Sequence, residues 1–170
     1  TPWYTGSTLL GLLETTPVRV ALSQRPFRMP IQWVNRPHAD FRGVSGTVIS
    51  GHISTGDSIK VLPSGQVAHI AEIVTLDGSL DTAYTDQAPT LIFDRALDAS
   101  RGDVICAAQS PCERADQFSA QLVWMNEEVG YQGRSYFLKI GTLTVSASLT
   151  AIRYVVDINS YQERPATLLN

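Results

Sequence analysis

The sequence predicts an all-β protein: two consecutive antiparallel β-barrels behind a short helical N-terminal segment. Three observations carry this. Apolar residues recur at every second position in short runs, the runs are rich in β-branched residues, and glycine- or proline-containing turns separate them. Only residues 7–14, Ser-Thr-Leu-Leu-Gly-Leu-Leu-Glu, space their leucines as a helix does, behind a Ser/Thr cap. A helix that short needs a surface to lean on.

From Phe27 to Val34 the apolar residues Phe27, Met29, Ile31 and Trp33 alternate as in a half-buried strand. Pro30 interrupts the run; without an N–H it fits an edge position or a bulge. Asn35-Arg36-Pro37 breaks the pattern. Residues 41–53 carry Val44, Thr47, Val48, Ile49 and Ile53, with Gly43, Gly46 and Gly51 placed where a small barrel bends its strands. Thr55-Gly56-Asp57 is a turn, 59–62 a short strand, and Pro63-Ser64-Gly65 a second turn. Residues 66–76 alternate again through Val67, Ile70, Ile73 and Val74 until Asp77-Gly78 stops them. Residues 90–93 and 104–107, separated by the turn Arg101-Gly102-Asp103, complete a first barrel over residues 25–109.

Residues 110–116 read as a linker: polar, with a proline and no periodicity. A second barrel over 110–170 begins with a strand at 118–125. It pauses over 126–133, then continues through 136–145 and 149–158. Residues 1–24 remain as a linker and tail. A compact chain of 170 residues buries roughly 70% of its unfolded surface, enough for one domain or two small ones. At 44% hydrophobic and 17% charged, the composition is that of an ordinary soluble protein. No apolar run approaches the roughly 18 residues a spanning helix needs, so no membrane is expected. A net charge of −3 with scattered basic residues argues against nucleic acid.

Few residues invite chemistry. Cys106 and Cys112 have neither metal-ligand spacing nor a neighbouring histidine, and read as reduced structural thiols. His38, His52 and His69 include no close-spaced ligand pair, and surface or capping roles suit them better than zinc. Glu127-Glu128 reads as a solvated turn, and Trp3, Trp33 and Trp124 as packing residues rather than stacking platforms. The stretch 35–43 is different. With Asn35, Arg36, Asp40 and Arg42 it is either a partner-binding patch or a self-satisfied loop in which Asp40 caps amides and pairs an arginine. No G-x-x-x-x-G-K-[ST] phosphate cradle exists, nor any Gly-Lys pair, and there is no Asn-Lys-x-Asp. No nucleophilic constellation sits on a convincing local motif, so the expected catalytic, cofactor and metal residues are none.

The order of strands and turns over 25–65 resembles the second domain of translation-factor-type GTPases. Residues 3–10, Trp-Tyr-Thr-Gly-Ser-Thr-Leu-Leu, resemble the segment closing the GTPase domain in elongation-factor relatives. Within that superfamily, several segments resemble the large (GTPase) subunit of sulfate adenylyltransferase, the CysN family. They are Asn35-Arg36-Pro37, Asp40-Phe41-Arg42-Gly43, Leu62-Pro63-Ser64-Gly65, 73–78, 100–104 and 115–118. The second barrel agrees through 122–128, Gly133-Arg134-Ser135-Tyr136 and Leu138-Lys139-Ile140-Gly141. Two places depart from the family: Pro89, which suggests a later start for the strand at Thr90, and the loop 129–132.

The resemblance implies a cytoplasmic enzyme that makes adenosine 5′-phosphosulfate and pyrophosphate from ATP and sulfate. Adenylyl transfer falls on a small subunit, and GTP hydrolysis with Mg²⁺ on the large subunit drives it. The family's catalytic residues would precede Thr1. Residues 1–24 would then end a GTPase domain that adjoins this chain as a partner, and further strands would follow Asn170. The barrels would serve as scaffold and relay to the small subunit, needing no cofactor themselves. Two other readings stay open: the tRNA-binding barrels of a translation factor, disfavoured by acidity and motifs, and a free-standing β-barrel interaction module.

Overall fold

The computed structural model describes residues 4–16, 20–36 and 41–169, and the chain divides into two compact units, Thr1–Cys112 and Glu113–Asn170. In the first, helix α1 (Leu9–Thr15) starts where the Thr8 hydroxyl accepts the Gly11 N–H at 3.1 Å. This is the predicted cap. No residue of α1 is buried, and Leu9, Leu10, Leu12 and Leu13 all face solvent. The single turn α2 (Val20–Ser23) is tied to the sheet region through Leu22, whose carbonyl accepts the Gly51 N–H at 3.0 Å.

Ten strands follow among the described residues: β1 (Arg28–Pro30), β2 (Trp33–Asn35), β3 (Gly43–Ser45), β4 (His52–Ser54), β5 (Ser58–Leu62), β6 (Val67–Thr75), β7 (Gly78–Leu80), β8 (Thr82–Tyr84), β9 (Thr90–Phe93) and β10 (Val104–Ala107). The main sheet runs β1-β10-β5-β6-β9-β3-β2, wholly antiparallel, with β7 added to β6; β4 and β8 form a separate ladder. The two ends of that path, β1 and β2, are separated in the chain by Ile31 and Gln32 alone. A linker so short spans roughly 10 Å, so the sheet must curl back on itself. No ladder joins β1 to β2 among the described residues, and the curl is therefore not closed by hydrogen bonds. Pro30 ends up in a terminal strand of the path, where its missing N–H spoils no central ladder.

The concave side holds the core: Phe27, Met29 and Ile31 from the first run meet Val44, Val48, Ile59, Val61, Ile70, Ile73, Leu91 and Ile105, all buried. Predicted alternation stops at Trp33, which is 66% exposed. The reason is local. Ile31 is held by the 102–103 turn, its N–H to the Asp103 carbonyl at 2.8 Å and its carbonyl from the Gly102 N–H at 3.1 Å. The chain leaves one ladder there and enters another beside β3, turning the indole outward.

Strand β6 changes phase as well. Ala68 and Ile70 are buried, then a bulge between Ile70 and Glu72 shifts the register so that Ile73 is the next inward residue. Val67, apolar like Ile70 and Ile73, lies on the outer face. Strand β9 begins at Thr90 without delay: buried Pro89 contributes its carbonyl to the Gly46 N–H at 3.3 Å. Gly46 itself packs so closely on Pro30 that a Cβ would overlap the Pro30 carbonyl oxygen.

The second unit contains β11 (Gly130–Tyr131), β12 (Ser135–Ile140), β13 (Leu143–Ser148), β14 (Val155–Val156), β15 (Glu163–Arg164) and β16 (Leu168–Leu169). They pair as three separate two-stranded antiparallel ladders, β11-β16, β12-β13 and β14-β15. The run 118–125 forms no strand, and Phe118, Leu122, Val123 and Met125 are exposed. Alternation makes a strand only where another edge accepts its hydrogen bonds, and none does so here among the described residues. Segment 149–158 likewise reduces to β14. No helix among the described residues is long and apolar enough to cross a membrane.

Candidate partner-contact site

Asn35 and Gly43 are directly opposed in the β2-β3 ladder, which brings Asn35, Arg36 and Arg42 to one end of this hairpin. Gly43 is required by the approach of β9: Thr90 Cγ2 and the Phe41 ring occupy the space a Cβ would take. Arg36 is exposed, whereas Asn35 and Arg42 are half-buried. Burial first, and the Arg36 cation second, lower the Arg42 pKa, with Asp98 opposing them. Two guanidinium groups therefore share one field. Asp40, His38 and Pro37 lie outside the described residues, and so does the expected pairing of Asp40 with an arginine.

Alongside β2 runs a shallow, open groove of about 590 Å³, lined by residues 32–36 on one side and 99–101 on the other. The turn after Ser100 is fixed by Asp103, whose carboxylate accepts the Ser100 N–H at 2.9 Å. From that turn Arg101 reaches across and donates to the Gln32 carbonyl at 2.6 Å. Sequence reading missed Trp33 and Arg101 as members of this surface. Trp33 followed an alternation that implied burial, and Arg101 sits in a turn 69 residues from Gln32, with no local signal of the contact.

The other candidates resolve individually. Cys106 and Cys112 are free thiols; buried Cys106 donates to the Lys60 carbonyl at 3.3 Å, while burial and the neighbouring Cys106 push the Cys112 thiol up. His52 tilts against the Tyr84 ring and His69 pairs with Asp94 at 3.1 Å. No group of three or more metal-ligating side chains assembles among the described residues. Glu127 and Glu128 are exposed, and Asn126 caps the Glu128 N–H at 3.0 Å. Trp124 packs edge-on to Tyr136 and donates to the Glu128 carbonyl at 2.9 Å, a packing role as expected. Trp3 lies outside the described residues.

Residues 117–170 match the family model described as GTP-eEF1A C-terminal domain-like. The fold resembles a crystal structure of Sup35 complexed with GMPPNP, with a TM-score of 0.72 at 18% identity over 98% of this chain and 41% of that one. It also resembles translation elongation factor SelB from Methanococcus maripaludis, with a TM-score of 0.67 at 19% identity over 82% and 30%. Identities this low speak to fold alone. Sequence relatives are much nearer. Sulfate adenylyltransferase subunit 1 of Saccharophagus degradans is 45% identical over 95% of this chain and 34% of its own length. That of Aliarcobacter butzleri is 43% identical over 99% and 36%. The bifunctional enzyme CysN/CysC of Rhodopirellula baltica is 45% identical over 99% and 26%. The chain thus spans about a third of the subunit 1 relatives it matches. Over that span it is a homologue of sulfate adenylyltransferase subunit 1, the CysN family, on a fold shared with translation-factor GTPases.

Proposed function

We propose that this chain is the non-catalytic barrel region of a cytoplasmic sulfate adenylyltransferase GTPase subunit. Its task is to couple GTP hydrolysis in the preceding domain to formation of adenosine 5′-phosphosulfate on a separate small subunit. The observation that carries the reading is identity of 43–45% along nearly all of the chain with proteins of that name. The residues present do not fit GTP or Mg²⁺: there is no phosphate cradle, no Gly-Lys pair and no Asn-Lys-x-Asp. What they supply is a curled sheet and, at the end of β2-β3, the cationic pair Arg36 and Arg42 beside Asn35. With Asp40, these are the proposed contacts to the small subunit.

In the complete enzyme, Arg36→Ala combined with Arg42→Ala should weaken small-subunit binding about tenfold, or about 1.4 kcal/mol. GTP stimulation of adenylyl transfer should fall with it. Calorimetric titration of the small subunit measures the first and pyrophosphate release the second. Unchanged affinity in the double variant would remove this hairpin from the interface.

A further inference from the structure

We propose that the groove beside β2 is a docking site for an extended, acidic polypeptide segment. It is held by the free edge of β2, by the face of Trp33 and by Arg36 and Arg101. The proposal rests on the reading that this end of the first unit faces a partner protein, and it names the chemistry of what docks.

Three independent observations converge on it. First, β2 is a terminal strand of the sheet path and is paired with β3 on one side; its other edge carries no strand among the described residues. An edge of this kind is where an extended peptide adds by backbone hydrogen bonding. Second, Trp33 stands 66% exposed on that edge, although Phe27, Met29 and Ile31 of the same run are at most 3% exposed. An exposed indole flanked by arginines has the composition of an interface hot spot. Third, the sign of charge is reversed locally. The chain carries a net −3, yet the groove is lined by Arg36 and Arg101 and, among the described residues, by no carboxylate. Arg42, its pKa lowered partly by Arg36, adds a third cation nearby.

Two acids described near the groove offset part of this charge without lining it. Asp103 is engaged with the Ser100 N–H, and Asp98 acts on Arg42 rather than lining the groove. Arg101 is held in place by its bond to the Gln32 carbonyl, so its charge is presented at little further entropic cost. A single indole and three cations are a poor track for nucleic acid, which needs a basic stripe and successive stacking platforms. The open sheet edge suits a peptide backbone instead.

The test uses the complete GTPase subunit and a fluorescein-labelled octapeptide of alternating Glu and Val. Controls are the alternating Lys and Val peptide, the acidic peptide methylated at alternate backbone nitrogens, and a thymine DNA octamer. The acidic peptide should bind saturably, and Trp33→Ala and Arg36→Glu should each weaken it at least tenfold. Trp33→Phe should restore most of the binding, and backbone methylation should abolish it. Equal binding of acidic and basic peptides, tighter binding of the DNA, or indifference to both variants would overturn the proposal. Small-subunit affinity, measured on the same proteins, separates the two readings. If the Arg36/Arg42 double variant loses the small subunit while Trp33→Ala alters neither ligand, the docking groove is wrong and the functional reading stands. If the peptide follows the variants and the small subunit ignores them all, the groove stands and the small subunit is not its occupant.

Discussion

Asp94 ties a titratable group directly to the backbone of a neighbouring strand. Its carboxylate accepts the His69 N–H at 3.0 Å and approaches the His69 ring Nδ1 at 3.1 Å. The backbone bond first, then the ring, hold its pKa below the ordinary carboxylate range. A depressed folded-state pKa contributes stability that is present above the unfolded value, about 3.9, and is lost as pH falls through the lower folded one. Melting temperatures of the wild type and Asp94→Asn should therefore differ at pH 6 and converge as the pH drops below about 4. A constant difference would assign the effect to packing rather than to charge. Asp157 obeys the same sign, held by the Ser160 and Asn159 N–H groups. At this scale the sequence was a partial guide. Asn35, Arg36 and Arg42 were visible as polar residues breaking a strand pattern, whereas the exposure of Trp33 depends on hydrogen bonds from a turn some seventy residues away.

At the scale of elements, turns were legible and strand phase was not. Thr55-Gly56-Asp57 announces itself by residue type, and the structure bears this out: Gly56 has φ +87° and Asp57 accepts the Ser54 N–H at 2.8 Å. The bulge in β6 leaves no such mark, since Ala71 is as compatible with a regular strand as with an extra residue. Two residues of like hydropathy meet different fates, one inside β6 and one in the turn that follows it. Ile73 is fully buried after the bulge, while Leu76, three positions on, is completely exposed. Ile73→Ala should cost about 2–5 kcal/mol through lost burial and a residual cavity, and Leu76→Ala should stay within about 0.5 kcal/mol. Urea unfolding midpoints at constant m-value measure both. Comparable losses would place Leu76 in a core it does not occupy here. The strand expected at 118–125 failed for a related reason, because alternation specifies a face but cannot supply the neighbouring edge.

For the molecule as a whole, the two units differ in how their strands are supported. In the first, β5, β6 and β9 are each flanked on both sides, and their inward residues share one buried cluster. In the second, β12 and β13 pair only with each other among the described residues, and Phe137, Ile140, Leu143 and Val145 remain substantially exposed. A two-stranded hairpin is marginal in water unless its apolar face is covered, because few buried contacts offset the entropy of ordering it. Amide hydrogens of β5, β6 and β9 should consequently exchange through global unfolding, and those of β12-β13 through cheaper local opening. In hydrogen-exchange mass spectrometry of this chain, peptides from 58–75 should be protected at least a hundredfold more than peptides from 135–148. The gap should narrow as concentration rises if copies of the chain cover one another's exposed hairpins. Equal protection of both segments in dilute monomer would mean that the second unit buries its hairpin in solution, against the exposure of Phe137 and Ile140 seen here.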